Sequence, residues 1–423
     1  MQKLKIEKLV EGGQGISHEN EKSFFVWNSL PGELIEIESF NKRKGIFEAR
    51  AIGVVEPSIH RTEPSEEHFL SCSPWQIMDF DYENEQKISI ATENYKRIAK
   101  LSDKEVEDLN INIFSDGKQF GYRNKMEFSF IESGGNISLA FFSRGQKRKI
   151  AIDGCELASP AINRVAQNIL EWINNKKLTE RNLKAIILRS NKNDEVVAGL
   201  FIKDKLDFDD YPVLNDKFLG FSLYYSTHKS PASVITDTLY QDGQDFLIEE
   251  IAGKKFKYGI NSFFQVNIPV FEAALKDISD SIHGDSKIVD FYSGVGAIGL
   301  CIGADKLIES NEEAVEFAKD NILSNKMNGS EAVLAPSEKA LEYIEEDSTI
   351  IFDPPRAGLH QDVIDRILEI KPSRIIYMSC NTATHARDIG LLKDVYDIKF
   401  LKLYNFFPRT PHIEAICILE LKK

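Results

Sequence analysis

Asp290-Phe-Tyr-Ser-Gly294-Val-Gly296-Ala-Ile-Gly299 places a glycine-rich turn directly after an apolar stretch and directly before a stretch of helical character. A strand, a Gly-x-Gly-x-x-Gly turn and a helix, in this order, are typical of a nucleotide-binding α/β sheet. Glycines suit this position because the backbone turns tightly and approaches a ligand closely. The segment therefore predicts a cofactor cleft, with Gly294 and Gly296 against the cofactor.

From residue 256 onward, helix and strand signals alternate, which predicts an α/β domain of the Rossmann type over residues 256–423. The predicted strands are Lys287–Tyr292, Lys306–Glu309, Thr349–Asp353, Arg374–Ser379, Ile398–Tyr404 and Ile413–Leu421. The predicted helices include Pro269–His283, Glu312–Ser324 and Gln361–Leu368. Because the strand ends of such a sheet meet the ligand, Glu309 and Asp353 are candidate cofactor contacts.

The glycine turn by itself does not distinguish NAD from S-adenosylmethionine, because both carry a ribose that Glu309 can bind. An NAD-dependent oxidoreductase usually has this turn early in the chain, whereas here it begins at Gly294 of 423 residues. The motif Asp353-Pro-Pro-Arg356 at a further strand end suits a site that faces a base or a sulfonium group. Both features favour methyl transfer over hydride transfer.

Two further regions precede this domain. Residues 1–58 contain short apolar stretches between turn residues, which predicts a small β-barrel, either a scaffold or an oligonucleotide-binding module. Residues 59–255 carry mostly strand signals and predict a β-rich middle domain. Its flanking helix is predicted over residues 73–100, with Pro74 in the first turn, and a second helix over Pro160–Lys176.

The composition narrows the class of protein. A formal charge of −14 disfavours a nucleic-acid partner without excluding one, because a cationic cleft can lie on an acidic body. No apolar run is long enough for a membrane span, and the first residues lack the apolar core of a signal peptide, so we expect a cytoplasmic protein. Five scattered cysteines without a Cys-x-x-Cys pair predict neither a disulfide framework nor a metal site.

Two residues near the end of the chain are candidates for catalysis. Cys380 ends a predicted strand and is flanked by Ser379 and Asn381 rather than by aliphatic residues, which favours a nucleophile over a buried small hydrophobe. Glu414 begins an apolar strand, where an unpaired carboxylate is costly to bury. If it lies in a site, burial raises its pKa toward that of a useful general base.

The short segments together resemble the RNA uracil-C5 methyltransferases, which make 5-methyluridine with S-adenosylmethionine. The segments that carry the resemblance are Asn261–Asn267, Asp353–Gly358, Ser379–Asn381 and His412–Glu414, together with Gly121–Phe128 in the middle region. Residues 1–58 resemble the TRAM barrel, an RNA-binding module of several members. The resemblance implies that Gln265, Tyr292, Glu309 and Asp353 contact S-adenosylmethionine, that Cys380 attacks carbon 6 of the uracil, and that Glu414 removes the proton from carbon 5.

The chain departs from the family pattern at three places. Many members hold a [4Fe-4S] cluster with four cysteines, of which only Cys72 and Cys155 remain, so we expect no cluster. A serine, Ser293, replaces the cysteine of the family's Tyr-Cys-Gly segment, which we expect to be tolerated. Thr382 replaces the proline after the Ser-Cys-Asn segment, which we expect to loosen that loop.

The RNA contacts are predicted from the basic residues. Arg123 and Lys125 flank Asn124 and are expected to face the cleft, and Arg356 is a candidate for stabilising the Cys380 thiolate. The densest basic run is Arg144–Lys149, in which Lys147, Arg148 and Lys149 either bind RNA phosphates or form a solvated turn.

Members of the family act on ribosomal RNA or on the transfer-RNA T-loop, and the barrel favours 23S ribosomal RNA. Two alternatives remain at this point. A cytosine-C5 RNA methyltransferase would carry a thiol beside the Asp-Pro motif, which this chain lacks. A catalytically inactive RNA-binding protein of the same fold is disfavoured by the intact Cys380 and Glu414. We expect a monomer without an obligate protein partner.

Overall fold

The computed structural model describes residues 2–43, 46–146, 148–231, 233–282, 284 and 286–423. Its first part is a six-stranded sheet in the order β1-β5-β6-β4-β3-β2. The strands are β1 (Gln2–Lys5), β2 (Lys8–Leu9), β3 (Gly15–Glu19), β4 (Lys22–Trp27), β5 (Leu34–Arg43) and β6 (Ile46–Glu56). The long β5–β6 pair has three register shifts, which bend and twist a sheet around its own apolar residues. Since β1 and β2 are its edge strands, the closed barrel stays a prediction.

A helical segment follows this sheet. It comprises α1 (Phe69–Cys72), α2 (Phe80–Arg97), α3 (Asp103–Leu109) and the short strand β7 (Ile113–Phe114). The helix predicted from residue 73 begins only at Phe80, because the Asp79 carboxylate accepts a hydrogen bond from the Tyr82 amide at 2.8 Å and caps the helix there. Pro74 lies in the turn before it rather than in a helix.

This helical segment packs against the C-terminal part of the chain. Ile90 and Tyr95 of α2 lie in one apolar core with Val289 and Tyr377. The strand β7 pairs in parallel with a strand near the C-terminus. Residues 80–114, which the sequence boundaries assign to the middle region, therefore contact the predicted catalytic domain, because the sequence does not specify which core an amphipathic helix covers.

The middle of the chain forms a seven-stranded sheet in the order β10-β9-β8-β11-β12-β13-β14, followed by a hairpin. The elements are β8 (Lys125–Ser133), β9 (Asn136–Phe142), β10 (Lys149–Ile152), α4 (Pro160–Asn175), β11 (Leu183–Ser190), β12 (Val196–Ile202), β13 (Phe218–Tyr225), β14 (Asp237–Gly243), and the hairpin strands β15 (Phe246–Ile251) and β16 (Lys254–Gly259). The Ser159 side chain caps α4, Pro160 occupies its first turn, and residues such as Ile162, Val165 and Ile169 bury one face against the sheet.

The last part is an eight-stranded sheet in the order β19-β18-β17-β20-β21-β23-β22-β7. Its strands are β17 (Lys287–Phe291), β18 (Lys306–Glu309), β19 (Glu331–Leu334), β20 (Ser348–Phe352), β21 (Arg374–Ser379), β22 (Tyr396–Tyr404) and β23 (Glu414–Leu421). Its helices are α5 (Ile268–Asp280), α6 (Ala297–Ile302), α7 (Glu312–Ser324), α8 (Gln361–Ile370) and α9 (Thr382–Leu392), with single 3₁₀ turns at Ser337–Lys339 and Leu341–Tyr343.

The strand order of this last sheet defines where a ligand binds. From β17 the chain moves outward through β18 to β19, then returns to the other side of β17 as β20 and continues to β21. Ligands of open α/β sheets bind beyond the carboxyl ends of the strands at such a switch point. The loops after β17, β20 and β21 carry Tyr292, Asp353 and Cys380, so the topology brings these three together.

The α/β architecture with several sheets is confirmed, and the predicted strands and helices of residues 256–423 lie within a few residues of the observed ones. His283, the predicted last residue of the helix that is α5 in the structure, lies outside the described residues. Within the described part of the chain, we find no helix with the length and apolarity that a membrane crossing requires.

Candidate active site

Two carboxylates accept hydrogen bonds from backbone amides of the glycine-rich turn. The Asp290 carboxylate is fully buried and accepts a hydrogen bond from the Gly299 amide at 2.8 Å, which anchors the start of α6. The Glu309 carboxylate accepts from the Gly294 amide at 3.0 Å. Gly294 and Gly296 have φ angles of +56° and +86°, which favour glycine. A Cβ at Gly294 would meet no atom within 4 Å, so its backbone is open to a ligand.

Tyr292 lies directly after β17, at the start of the glycine-rich turn. It has a φ of +62°, an uncommon conformation for a bulky residue that often marks a functional site. The hydroxyl of Ser337 donates to its phenolic oxygen at 2.6 Å, which orients the ring. Its neighbour Ser293 has a buried hydroxyl without a partner among the described residues. A buried polar group of this kind suits a site that a polar ligand completes.

Three carboxyl groups make the cleft electronegative. Burial raises the pKa of Asp290 well above its ordinary value, and the charges of Asp353 and Glu309 add to the rise. Burial also raises the pKa of Asp353 to about 7. A cation in the cleft would favour the ionised forms of Asp290 and Asp353, because an opposite charge offsets the cost of burying a carboxylate. The arrangement fits the positively charged sulfonium of S-adenosylmethionine better than the pyrophosphate of NAD.

Cys380 lies between β21 and α9. Asn381 caps α9 by accepting hydrogen bonds from the Ala383 and Thr384 amides, so the thiol lies beside the positive end of an 11-residue helix. Burial raises the pKa of the Cys380 thiol to about 12; Glu414 and Asp353 add to the rise, and Arg356 opposes it through its charge and a hydrogen bond. The thiol is therefore protonated at neutral pH in the free protein.

Glu414 faces the same space. Its side chain is buried, with 5% exposure of the residue, and its Oε2 atom has no hydrogen-bond partner among the described residues. Burial raises its pKa well above the ordinary value, Asp353 adds to the rise and Arg356 opposes it. An unpaired carboxyl in this setting is expensive to keep for stability alone. Arg356 is thus adjacent to both predicted catalytic groups and favours the ionised form of each.

The loop between β20 and α8 is tied to the loop that bears Cys380. The Thr384 hydroxyl of α9 donates to the Arg356 carbonyl oxygen at 3.1 Å, and the Leu359 amide donates to the Asp388 carboxylate at 3.0 Å. These bonds hold the Asp353-Pro-Pro-Arg356 segment against the start of α9. The two motifs therefore form one rigid wall of the site.

Thr382 corrects the expectation that its loop is loosened. Its hydroxyl donates to Glu11 at 2.9 Å and accepts from the Asn94 amide group at 2.8 Å, and the residue is fully buried. A proline at this position has no hydroxyl and makes neither contact. The threonine fastens the start of α9 both to the first sheet and to α2.

Gln265 lies on the opposite side, in the segment between β16 and α5. The residue is 7% exposed, and its carbonyl oxygen accepts a hydrogen bond from the Asn124 side chain at 2.9 Å. Asn124 belongs to the Arg123–Lys125 segment at the start of β8, so the middle sheet and the cofactor cleft meet here. Sequence reasoning noted Asn124 only as a neighbour and did not assign it this contact.

The predicted cations of the cleft differ in their environment. The Nε atom of Arg123 is buried without a hydrogen-bond partner among the described residues, and its guanidinium lies 5.7 Å from the Phe407 ring. Burial, together with the nearby charge of Arg189, lowers the pKa of Lys125 to about 8. Arg189 is itself fully buried, in register with Lys125 on the neighbouring strand. Sequence analysis missed Arg189 because it lies within an apolar strand.

The basic run at the end of the middle hairpin is only partly available to RNA. The Lys149 ammonium donates to the Phe130 carbonyl oxygen and to Glu180, both at 2.7 Å, so it already has partners within the protein, and its contact with RNA phosphates stays a prediction. Arg148 is exposed, and Lys147 lies outside the described residues. Arg144 stacks 4.4 Å above the Trp27 ring and donates to the Leu70 carbonyl oxygen.

Two further residues of the site escaped sequence analysis. Asp290, quoted only as part of the glycine segment, is the buried carboxylate that anchors the turn. A polar residue in an otherwise apolar strand is the signal that points to it. His412 is largely buried beside Arg356 and Arg123, and burial lowers its pKa to about 3, so it is a neutral ring at physiological pH.

Comparison with known proteins decides the class of enzyme. A family model described as tRNA (uracil-5-)-methyltransferase matches residues 87–422. The chain belongs to the RNA uracil-C5 methyltransferase family. The tRNA (uracil(54)-C(5))-methyltransferase of Pyrococcus abyssi is 29% identical over 429 residues, which cover 98% of this chain and 99% of that protein. An uncharacterized RNA methyltransferase of Caldanaerobacter subterraneus is 30% identical over 447 residues, which cover 99% and 98%.

A solved structure agrees with this assignment over the whole length. The tRNA (uracil-54, C5)-methyltransferase of Pyrococcus abyssi, in complex with S-adenosyl-L-homocysteine, has a TM-score of 0.78 at 26% sequence identity and covers 99% of both chains. The enzyme is therefore an RNA (uracil-C5) methyltransferase that uses S-adenosylmethionine, and the alternatives of an oxidoreductase, a cytosine methyltransferase and an inactive binding protein are set aside.

Proposed function

We propose that the enzyme methylates carbon 5 of a specific uridine in 23S ribosomal RNA through transient covalent addition of Cys380 to carbon 6 of the ring. The observation that carries the proposal is the meeting of Cys380, the unpartnered Glu414 and Arg356 at the end of the cofactor cleft. A thiol, a base without a structural partner and a shared cation are the groups that this chemistry needs.

The steps follow from the electron demand of the base. Carbon 5 of uracil is a poor nucleophile, but addition of the Cys380 sulfur at carbon 6 breaks the ring double bond and places its electron pair over carbon 5 and the carbonyl oxygen. S-adenosylmethionine supplies an electrophilic methyl group for that carbon. Glu414 then removes the carbon-5 proton, the double bond re-forms, and the Cys380 sulfur leaves with the electron pair of its bond.

The raised pKa values of the two catalytic candidates bear on how the reaction steps can begin. The Cys380 thiol, with a pKa of about 12, must lose its proton before addition, and burial raises the pKa of Glu414, which makes its carboxylate a stronger base. Arg356 and the positive end of α9 favour the thiolate. Because the carboxyls that oppose them surround the cofactor cleft, binding of a sulfonium cation reduces their effect.

We place the cofactor on Gln265, Tyr292, Gly294, Gly296, Glu309 and Asp353. Gly294 has room for close approach, and the unpartnered Ser293 hydroxyl points to a polar ligand. The Glu309 carboxylate already accepts backbone hydrogen bonds and has lone pairs left for ribose hydroxyls. Asp353 lies at the strand end between the cofactor turn and the Cys380 loop, where it can face the reacting base.

RNA is proposed to bind on the middle-sheet side of the cleft. Arg123 and Lys125 lie here without a carboxylate partner among the described ion pairs, and phosphate groups would offset their charge, whereas Arg189 is fully buried and donates to the Ile260 and Ser262 carbonyl oxygens. Phe263, two residues before Gln265, is 71% exposed although aromatic. An exposed ring at a cleft gives a stacking surface for a base, and the target uridine must leave its own stack to reach Cys380.

The choice of ribosomal RNA rests on the N-terminal sheet, which we propose to be a TRAM-like RNA-binding module. A transfer-RNA T-loop uridine is the second candidate, because the similar Pyrococcus abyssi protein is named for uracil 54 of tRNA. Mapping of 5-methyluridine in ribosomal and transfer RNA from a deletion strain separates the two, since only the true target loses the modification.

The covalent step is tested with RNA that contains 5-fluorouridine. Fluorine at carbon 5 cannot be removed as a proton, so the methylated adduct accumulates and survives a denaturing gel. We expect an adduct with the unmodified protein and with Cys301→Ala, whose thiol lies in α6 near the Ile251 carbonyl oxygen, and none with Cys380→Ala. Methyl transfer by Cys380→Ala at an undiminished rate refutes the mechanism.

A further inference from the structure

A second cluster of reactive side chains lies outside the active site, between the helical segment and the middle sheet. One ligand atom each from Glu66, His68, Cys72 and Cys155 lies within 4.8 Å of all the others. The Glu66 carboxylate is 3.1 Å from His68 Nε2 and 3.8 Å from the Cys72 sulfur. The sequence predicted no metal site, because the five cysteines include no Cys-x-x-Cys pair and Glu66 and His68 were not considered as ligands.

Local structure brings the four groups together. His68 and Cys72 are four residues apart, at the two ends of the short helix α1, so they share one face of its turn. Cys155 lies in the turn after β10, where its amide donates to the Asn163 side-chain oxygen at 3.2 Å and its carbonyl oxygen accepts from the Asn163 side-chain nitrogen at 3.0 Å. The Glu66 carboxylate also accepts from the Glu156 amide at 2.7 Å, which fixes it beside Cys155.

The protein alone satisfies this cluster poorly. The His68 Nε2 atom is buried and makes no hydrogen bond of acceptable geometry among the described residues. The Cys72 sulfur has a close polar neighbour in the Ser73 hydroxyl at 3.0 Å and only long contacts to carbonyl oxygens. A carboxylate, an imidazole and two thiols, all largely removed from water, are costly to hold together unless a cation unites them.

We propose that Glu66, His68, Cys72 and Cys155 bind one divalent transition-metal ion, with Zn²⁺ as the preferred occupant. Two sulfurs, one imidazole nitrogen and one carboxylate oxygen are donors that zinc takes in a tetrahedral shell. Sulfurs about 2.3 Å from a zinc ion lie roughly 3.8 Å from each other, so ligand atoms already within 4.8 Å need only small movements. Two thiolates do not fit a [4Fe-4S] cluster, which takes four.

The ion has a structural rather than a chemical task. The segment after Cys155 carries the backbone bonds that hold the cleft residues: the Arg123 amide donates to the Leu157 carbonyl oxygen at 2.9 Å, and the Ser159 amide donates to the Arg123 carbonyl oxygen at 2.9 Å. Asn124 then reaches the Gln265 carbonyl oxygen. A metal ion bound by Cys72 and Cys155 would therefore fix the helical segment to the start of β8, which lines the cleft, and so position the residues there.

A cleft leads to the cluster from solvent. It has a volume of about 460 Å³ and is lined by His68, Gly154, Cys155 and Asn163 among others. An ion can therefore enter the folded protein and be exchanged. This makes the site accessible to metal replacement without unfolding.

Metal content tests the proposal directly. The full-length protein is purified without a histidine tag, and its zinc is measured by inductively coupled plasma mass spectrometry. We expect about one zinc per chain in the unmodified protein, at least a fivefold loss in the Cys72→Ser/Cys155→Ser double variant, and an unchanged content in Cys301→Ser as the matched cysteine control. A metal-free unmodified protein, or equal zinc in the double variant, overturns the proposal.

Cobalt substitution identifies the donors. Co²⁺ exchanged into the zinc-depleted protein is expected to give a sulfur-to-cobalt charge-transfer band and the strong visible bands of a tetrahedral ion. His68→Gln, which keeps both thiols, is expected to retain the sulfur band but alter the visible bands. If the double variant does not fold, release of zinc from the unmodified protein by a thiol-specific mercurial replaces it as the test.

Two competing states are measured in the same preparations. A Cys72–Cys155 disulfide, seen by peptide mapping without reductant in protein that never held metal, contradicts the proposal. So does the broad visible absorption of an iron–sulfur cluster after anaerobic purification.

The melting temperature gives a readout that needs no activity assay. Chelation is expected to lower the melting temperature of the unmodified protein and added zinc to restore it, whereas neither is expected to affect the double variant.

Discussion

Arg356 is predicted to control how easily Cys380 ionises. In Arg356→Gln the thiol loses the neighbouring positive charge and hydrogen bond that oppose its raised pKa. A buried charge-assisted hydrogen bond contributes about 1.5–3 kcal/mol, but Arg356 is exposed, so about 1 kcal/mol is the appropriate figure after allowance for solvent screening. That figure corresponds to a rise of about 0.7 in the pKa of Cys380 and a roughly fivefold smaller thiolate population.

Alkylation kinetics measure this population. With a pKa of about 12, the Cys380 thiolate fraction at pH 8 is of the order of 10⁻⁴, so iodoacetamide labels Cys380 slowly and about tenfold faster per pH unit. Labelling is followed by mass spectrometry of the Cys380 peptide in the free protein. We expect Arg356→Gln to label about fivefold more slowly at each pH below 10, and Arg356→Lys to lie between the two. Rapid labelling of the unmodified protein with a flat profile from pH 6 to 9 refutes the reasoning.

The remaining predictions concern the base, the cofactor cleft and one packing contact. Glu414→Gln is expected to lower the single-turnover rate of RNA methylation by a factor of about 10²–10⁴, because removal of the carbon-5 proton is blocked. The same variant is expected to accumulate a denaturation-resistant adduct with ordinary uridine. An unchanged rate contradicts the assignment of Glu414 as the base. Since burial raises the pKa of Asp353 to about 7, its charge is present above pH 7 and lost below it. Calorimetry is therefore expected to show S-adenosylmethionine binding up to about tenfold tighter at pH 8 than at pH 6, with a much smaller change for S-adenosylhomocysteine, which lacks the sulfonium charge. Gly299→Ala places a Cβ within 2.3 Å of the Leu307 side chain and is expected to weaken cofactor binding at least tenfold, whereas Gly329→Ala, with no atom within 4 Å, leaves it unchanged. Thr382→Val removes two hydrogen bonds of a buried hydroxyl and is expected to lower stability to denaturant by about 1–3 kcal/mol; equal stability shows that the contacts to Glu11 and Asn94 are dispensable.

The C-terminal sheet was predictable because its signals are local. Each parallel strand is a short apolar run that ends in a polar or glycine-rich segment, and a helix pattern follows, so Lys306–Glu309 and Arg374–Ser379 were located from sequence. The start of α2 was not, because the cap at Asp79 competes with a proline that also suits a helix start. The packing of α2 on the last sheet depends on contacts about 300 residues apart, such as the hydrogen bond from Lys87 to Asn405.

The residues of the candidate site also differ in whether local sequence or remote contacts reveal them. Cys380, Glu414, Gly294 and Asp353 could be proposed from sequence because each lies at a strand end with a neighbour type that is unusual for a core, and their roles stay predictions. The ion pair of Lys149 could not be predicted, since its partner Glu180 lies 31 positions away and the run of cations gives no sign of it. The effect of Thr382 was misjudged for the same reason, as its partner Glu11 belongs to the first sheet.

By itself, the amino-acid sequence determined the α/β class and the glycine-rich turn, and it singled out Cys380 and Glu414 as the candidate nucleophile and base, because strand ends, glycines and isolated polar residues are properties of a few neighbouring positions. Only the tertiary structure decided that Arg356 lies near both Cys380 and Glu414, that the Asn124 side chain donates to the Gln265 carbonyl oxygen, and that Cys72 and Cys155 lie beside a histidine and a glutamate. These are matters of distance and burial between remote segments, and charge and desolvation act through space rather than along the chain.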